Sequence, residues 1–178
     1  MRYDTLDIIA PSVLGGEINE AEVFGSAVWL WMHSASHRNA PLHMLSALLL
    51  PAIKNRQFVL ASENGKPVFY LSWARLSMAA EKRYLQNSPQ CMPEADWTSG
   101  ERTWFLDWVA PFGDSRRMRI LLTRRLFPGL CARALHHRGN DKGLRIMNFH
   151  GMAVTPEEAR FWSEHNPPAF ENLSRDEQ

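Results

Sequence analysis

The chain has 178 residues, 45% of them hydrophobic and 22% charged, which suits one globular domain and excludes a disordered, collagen-like or coiled-coil chain. Twenty Lys and Arg against nineteen Asp and Glu leave a net charge of +1, so overall charge points to no nucleic-acid partner. Two cysteines, Cys91 and Cys131, are too few for a disulfide framework or a four-thiolate zinc site and fit a reducing compartment. Residues 1–20 carry four acidic side chains and one Arg, with no apolar run behind a basic start, so no secretory signal is expected. The longest apolar stretch, Met44 to Ile53, is interrupted by Ser46 and Pro51. It falls short of the roughly 20 residues that span a bilayer. Four of the seven tryptophans lie between Trp73 and Trp108, which predicts an aromatic-lined interior in that half.

In chain order, residues 1–18 show no period and contain Pro11, Gly15 and Gly16; they are read as a loose N-terminal arm. From Asn19 the pattern is helical, with Val23, Ala27, Leu30 and Trp31 on one face. Asn19 is the expected cap, with Glu20 and Glu22 near the positive end of the dipole. A polar break, Ser34 to Ala40, precedes a second helix with Pro41 in its first turn, Leu45, Leu48 and Leu49 on its buried face, and Pro51 in its last turn. Gln57–Ser62 and Pro67–Ala74 flank Glu63-Asn64-Gly65-Lys66, a strong hairpin signal. Ser77 opens a third helix through Ala80, Tyr84 and Leu85, followed by a loop over 87–100. Arg102–Ala110 is the third strand, broken by Pro111-Phe112-Gly113. Asp114 heads a basic helix to about Phe127. Cys131–Arg138 and Arg145–Phe149 are the last strands, and an acidic helix starts at Thr155 with Pro156 in first position. The order predicts one mixed α/β domain over 19–166, built on a mostly antiparallel sheet, with a polar tail over 167–178.

Three features carry possible chemistry. Asp107 sits inside Trp104-Phe105-Leu106-Asp107-Trp108-Val109, a run that reads as a central strand buried on both faces. A carboxylate there must be paired, hydrogen-bonded or protonated; a structural Asp and a catalytic Asp both meet that demand. His37 lies in the polar break Ser34-Ala35-Ser36-His37-Arg38-Asn39, the kind of loop where functional residues concentrate, and equally a place for a surface His beside an Arg. His33 and His37 are four apart, but no third ligand accompanies them and no zinc site is expected. His136-His137 alternates across a strand and reads as basic surface. The third feature is charge: nine Lys or Arg against Asp114 and Asp141 between residues 114 and 145. Such segregation suits an acidic partner or a phosphate, and equally a solvated helix face. The block lacks the interleaved aromatics of single-strand nucleic-acid binders. No G-x-S-x-G, P-loop, G-x-G-x-x-G or C-x-x-C is present.

A longer series of residues is more specific. It runs Ala27-Val28-Trp29-Leu30-Trp31, Ser34-x-x-His37-Arg38-Asn39, Leu50-Pro51-Ala52-Ile53 and Pro67-Val68-x-Tyr70-x-Ser72-Trp73-Ala74. It continues through Asp96-Trp97-Thr98-Ser99-Gly100-x-Arg102-x-Trp104-Phe105-x-Asp107-Trp108-x-Ala110-Pro111-Phe112-Gly113. This series resembles the RTX toxin-activating lysine acyltransferases, the small cytoplasmic partners of haemolysin-type protoxins. The resemblance is dense from about Phe24 to Gly113 and continues weakly through Phe149-His150-Gly151. It implies a GNAT-like acyltransferase fold, a fatty acyl thioester on the phosphopantetheine of acyl carrier protein as co-substrate, no bound cofactor or metal, and an internal lysine of an RTX protoxin as acceptor. It also implies a cytoplasmic homodimer; the aromatic surface of a domain with seven Trp points the same way. The family's essential His and Asp fall on His37 and Asp107. Ser34 and Tyr84 match supporting positions, and Asn39 completes the His-Arg-Asn run. Leu48 stands where many members have Asn, and Ala40 where many have Trp.

The implied chemistry suits these residue types. A lysine amine, with an ordinary pKa near 10.4, must lose a proton before attacking a thioester. An imidazole can take that proton, and a carboxylate held against it fixes the tautomer and stabilises the cation. Trp73, Trp104 and Phe105 are expected to line the acyl chain's dry channel, and Arg116 and Arg117 to meet acidic acyl carrier protein. The Q/R-x-x-G-x-G/A loop of coenzyme-A users is absent, which argues against acyl-CoA as donor. That donor is one alternative; a non-catalytic toxin-binding module is the other.

Overall fold

A computed structural model describes residues 1–87, 92–138 and 141–169, with the side chains of 136–144 excepted. Cys91 and most of the polar tail therefore lie outside the described residues, as do the side chains of His136, His137, Arg138 and Lys142. The elements run β1 (Arg2–Tyr3), β2 (Leu6–Ile9), α1 (Pro11–Leu14), α2 (Glu20–His33), α3 (Leu42–Leu48), α4 (Leu50–Lys54), β3 (Phe58–Glu63), β4 (Lys66–Leu76), α5 (Met78–Gln86), β5 (Arg102–Val109), α6 (Ser115–Leu121), β6 (Cys131–Arg138), β7 (Asp141–His150) and α7 (Pro156–His165). The seven strands follow the sheet order β1-β2-β3-β4-β5-β6-β7. The pairs β1–β2, β2–β3, β3–β4 and β6–β7 are antiparallel, whereas β5–β6 is parallel. Parallel neighbours need a crossover, and the chain between them supplies one through α6. This is the expected mixed α/β fold on a mostly antiparallel sheet, consistent with a GNAT-like fold.

The chain divides into two compact units, one of Met1–Ala74 with Leu106–Arg119, the other of Arg75–Phe105 with Ile120 onward. In the first unit α2 behaves as its spacing demands. Asn19 Oδ1 accepts from the N–H groups of Ala21 and Glu22 at 3.1 and 3.2 Å, satisfying donors that open helix ends leave bare. Val23, Ala27, Leu30 and Trp31 are buried against Leu45, Leu49 and Ile53 and against Phe58, Leu60, Tyr70 and Val109 of the sheet. Leu48 and Ala40 pack against the same cluster. The hairpin turn is built on Asn64 (φ 51°) and Gly65 (φ 76°), the two positive φ values that match the strand twist.

Two expectations fail here. Residues 1–18 are not a loose arm, because Leu6–Ile9 pairs with Ile9↔Leu60 through Leu6↔Glu63. Leu6 and Ile8 are buried while Asp7 and Ile9 face outward, an alternation too short to stand out as a period. The second helix also divides at Leu49, and Pro51 lies in the first turn of α4 rather than the last turn of one long helix. A proline lacks the N–H that a helix interior needs but fits the first turn. The basic helix likewise passes from α6 into a π-helical turn over Leu122–Leu126.

The second unit is centred on a buried acid. Glu81 has no exposed surface. Its Oε2 accepts from Arg102 at 2.7 Å, and its Oε1 accepts from the Trp104 indole at 2.7 Å and from Arg133 at 3.4 Å. Arg102 also donates to the Pro167 carbonyl at 2.9 Å, and Arg133 to that of Asn166, so the two guanidiniums hold the end of α7. Arg133 lies 4.5 Å from the centroid of the Trp162 ring, a cation–π contact. The Asp96-to-Gly100 run is structural: Asp96 takes a two-pronged hydrogen bond from Arg83 at 2.9 and 2.6 Å. A Cβ on Gly100 would meet the Leu76 carbonyl at 2.6 Å, so only glycine fits. Breaking a buried ion pair from one side leaves an uncompensated charge. Glu81→Ala is therefore expected to lower unfolding free energy by about 3–5 kcal/mol, read as a lower urea midpoint with an unchanged slope.

Candidate active site

Helix α2 ends because Ser34 is extended (φ −92°, ψ 125°). Its carbonyl accepts from the N–H groups of His37 at 3.1 Å and Arg38 at 2.9 Å, and the His37 carbonyl accepts from Ala40 N–H at 2.8 Å. These bonds curl the polar break into a tight turn that aims His37 back at the first unit. The ring lies beside Trp31, with centroids 4.9 Å apart and planes tilted by 39°.

Both imidazole nitrogens have neighbours. Nε2 is 3.5 Å from Asp107 Oδ1, with the two side chains 22% and 13% exposed. Nδ1 is 2.8 Å from Ser34 Oγ and 2.9 Å from Ser36 Oγ, and those hydroxyls are 3.0 Å apart. The structure thus joins residues 70 positions apart: a turn after α2 and a strand, β5. Asp107 is not fully buried as expected. Strand β5 is buried at Thr103, Trp104 and Phe105 and partly open at Leu106, Asp107 and Trp108.

Beneath the pair lies Tyr70. It is fully buried, stacked 6.2 Å from Phe58, and its hydroxyl has no hydrogen-bond partner among the described residues. Burial, and then the Asp107 charge, hold its phenol well above the usual tyrosine range, because both disfavour a second anion there. Trp31 Nε1 and Ser72 Oγ are likewise buried without partners among the described residues.

The remaining expected residues are dispersed. Asn39 is exposed in the same turn as His37. Tyr84 belongs to the second unit, where it meets Trp104 edge-on at 5.5 Å. Trp104 and Phe105 are core residues of that unit, the latter packed on Phe127 and Phe149 at 6.1 and 4.9 Å. Trp73 is buried in β4 of the first unit. Arg116 is exposed on α6. Arg117, by contrast, is engaged within the chain, donating to Glu63 at 3.0 Å and to Asp4 and Thr5 at 2.7 Å. Glu63, hydrogen-bonded first by Thr5 and then by Arg117, is held below the usual carboxylate range. His33 donates from Nδ1 to the Trp29 carbonyl at 2.8 Å. Among the described residues, no three His, Cys, Asp or Glu side chains converge to hold a metal ion, and no helix is long and apolar enough to cross a membrane.

Two residues escaped the sequence reading. Ser36 reads as loop polarity in sequence, although its position next to His37 puts a hydroxyl within reach. Glu81 was missed although it shares the stripe of Ala80, Tyr84 and Leu85, where an acid is anomalous.

Comparison with known proteins shows the family. Residues 16–150 match the family model described as the RTX toxin acyltransferase family. The chain is 41% identical over 135 residues to the RTX-I toxin-activating lysine-acyltransferase of Actinobacillus pleuropneumoniae, covering 76% of this chain and 77% of that one. It is 41% identical over 133 residues to a protein-lysine myristoyltransferase of Kingella kingae (73% and 77%) and 40% identical over 130 to one of Escherichia coli (73% and 75%).

The raised Tyr70 phenol has a measurable sign. Its proton is retained in the folded chain above pH 10, where an unfolded tyrosine ionises. The contribution is therefore complete below about pH 10 and is lost as pH rises towards the folded value. Alkaline titration by phenolate absorbance should show one tyrosine that ionises only with unfolding. Tyr70→Phe should remove that step and flatten the loss of stability above pH 10.

Proposed function

Since the chain belongs to the RTX toxin acyltransferase family and is an acyltransferase, we propose that it transfers a fatty acyl group from acyl carrier protein to an internal lysine of an RTX protoxin. His37 is the general base and Asp107 orients it. The observation that carries this reading is the approach of His37 Nε2 to Asp107 Oδ1 at 3.5 Å. A carboxylate facing Nε2 favours the tautomer with its proton there, leaving the Nδ1 lone pair as the base. It also stabilises the imidazolium that forms when the acceptor ammonium is deprotonated.

Direct attack by the lysine is the favoured route. An amine is a better nucleophile than the hydroxyl groups for which covalent relays are usually needed. A thioester is also electrophilic enough for an amine without a covalent relay. Trp73, Trp104 and Phe105 are buried in the cores of their respective units, so contact of the acyl chain with them requires those cores to open. The exposed Arg116 supplies cationic surface for acidic acyl carrier protein. The enzyme works in the cytoplasm, where that donor is made, as a homodimer.

The test is acylation of a protoxin by myristoyl-acyl carrier protein, read by intact mass. His37→Ala should lower the rate by at least about 10²-fold with the circular dichroism spectrum unchanged; an active variant refutes the base assignment. Asp107→Asn should lower turnover more than donor affinity. The two arginines should separate. Arg116→Glu is expected to weaken carrier-protein binding about tenfold at low salt and to flatten its salt dependence. Arg117→Glu should lower the melting temperature instead, because Glu63 and Asp4 would face a third anion.

A further inference from the structure

Acylation of a lysine has an awkward proton balance. The acceptor enters as an ammonium and leaves as an amide with one hydrogen on nitrogen. Two protons therefore leave the nitrogen as the N–C bond forms and the C–S bond breaks. One ends on the departing sulfur, and the other must reach solvent at every turnover. An imidazole base holds one proton at a time, so it needs a path outward.

The geometry around His37 supplies one. Asp107 Oδ1 stands 3.5 Å from Nε2, which favours a proton on Nε2, because the opposite tautomer would set a lone pair against an anion. The free lone pair is then on Nδ1, which faces Ser34 Oγ at 2.8 Å and Ser36 Oγ at 2.9 Å. The two hydroxyls are also 3.0 Å from each other. The three atoms form a closed triangle, but two hydroxyl protons cannot serve three edges and solvent together. In neutral His37, one hydroxyl donates to Nδ1 and accepts from the other. In the imidazolium, Nδ1–H donates and the chain reverses. Ser34 is half-buried and Ser36 is exposed, so the reversal points from the ring to water.

We infer that Ser36 is a relay residue acting through His37: its hydroxyl, with that of Ser34, carries the excess proton from Nδ1 to solvent and holds the imidazole in the Nε2–H tautomer. Each step moves one proton along an existing contact. Nδ1–H passes its proton to the first oxygen, that oxygen's own proton passes to the second, and the second releases one to water. No oxidant or further co-reactant is needed. This inference rests on His37 being the base.

The experiment has one arm that needs no substrate. Long-range nitrogen–proton NMR of the free protein should show neutral His37 carrying its proton on Nε2 and not on Nδ1. A proton on Nδ1 overturns the inference while leaving His37 free to be the base. The second arm measures acylation of a protoxin by myristoyl-acyl carrier protein in mixtures of light and heavy water. Wild type should give a bowed dependence of turnover on deuterium fraction, the mark of several protons in transit. Ser36→Ala should lower turnover about tenfold, a fraction of the full general-base contribution, with donor KM unchanged and the dependence made linear. Ser36→Thr, which restores the hydroxyl, should recover most of the rate and the curvature. Unchanged turnover and curvature in Ser36→Ala would overturn the relay. Loss of rate that Thr fails to rescue would do so as well, by pointing to packing. If instead His37→Ala remains active, the base assignment itself falls, a result separate from either arm.

Discussion

A carboxylate placed inside a β-strand has to be answered by something, and Asp107 is that demand in the first unit. Moving an anion away from water costs several kcal/mol unless a cation or donors meet it. The nearby phenol of Tyr70 cannot meet it as a second anion, and the Asp107 field helps keep that phenol neutral. The group that does face the carboxylate is an imidazole on a turn, brought there by the hydrogen-bonded break after α2. The aromatic wall of Trp31 and the two serine hydroxyls then fix the ring from its other sides. Much of the site follows from where one acid sits.

The second unit holds an instructive contrast. Glu81 is more deeply buried than Asp107, yet its surroundings make it inert. Two guanidiniums and an indole N–H occupy its oxygens. Arginine does not give up its proton at any accessible pH, so the cluster can hold α7 in place but cannot move a proton. Asp107 instead faces histidine, the one side chain whose ordinary titration falls near neutrality. Similar burial physics therefore produces a structural clamp in one place and a carboxylate–imidazole pair in the other. The difference lies in the partner and in the partial opening of β5 at Leu106, Asp107 and Trp108.

The arginines show the same dependence on partners. Arg116 and Arg117 are neighbours on α6 and equivalent as residues in a basic run. The helix turns them to different surroundings, so Arg116 is exposed while Arg117 ties α6 to Asp4 at the β1–β2 turn and to Glu63 at the end of β3. Charge counted along a sequence measures how much cation is present, not how much is free to meet a partner.

Local rules were enough for much of the architecture. The Asn19 cap, the Asn64-Gly65 hairpin, the Ser77 cap and the Thr155 capping box each depend on hydrogen bonds within a few residues, so residue order alone determines them. The same holds for the buried face of α2 and for the oddity of an acid within β5. Other features depended on partners far along the chain. Leu6–Ile9 is a strand only because β3 offers an edge. Glu81 is tolerable only because Arg102 and Arg133 arrive from other strands. The approach of His37 to Asp107 spans 70 positions, and the two ring nitrogens acquire different neighbours only in the folded chain. Hydrogen bonds between near neighbours leave a mark in composition and spacing; pairing across a fold leaves none, because it is decided by where the packed elements bring the ends of side chains together.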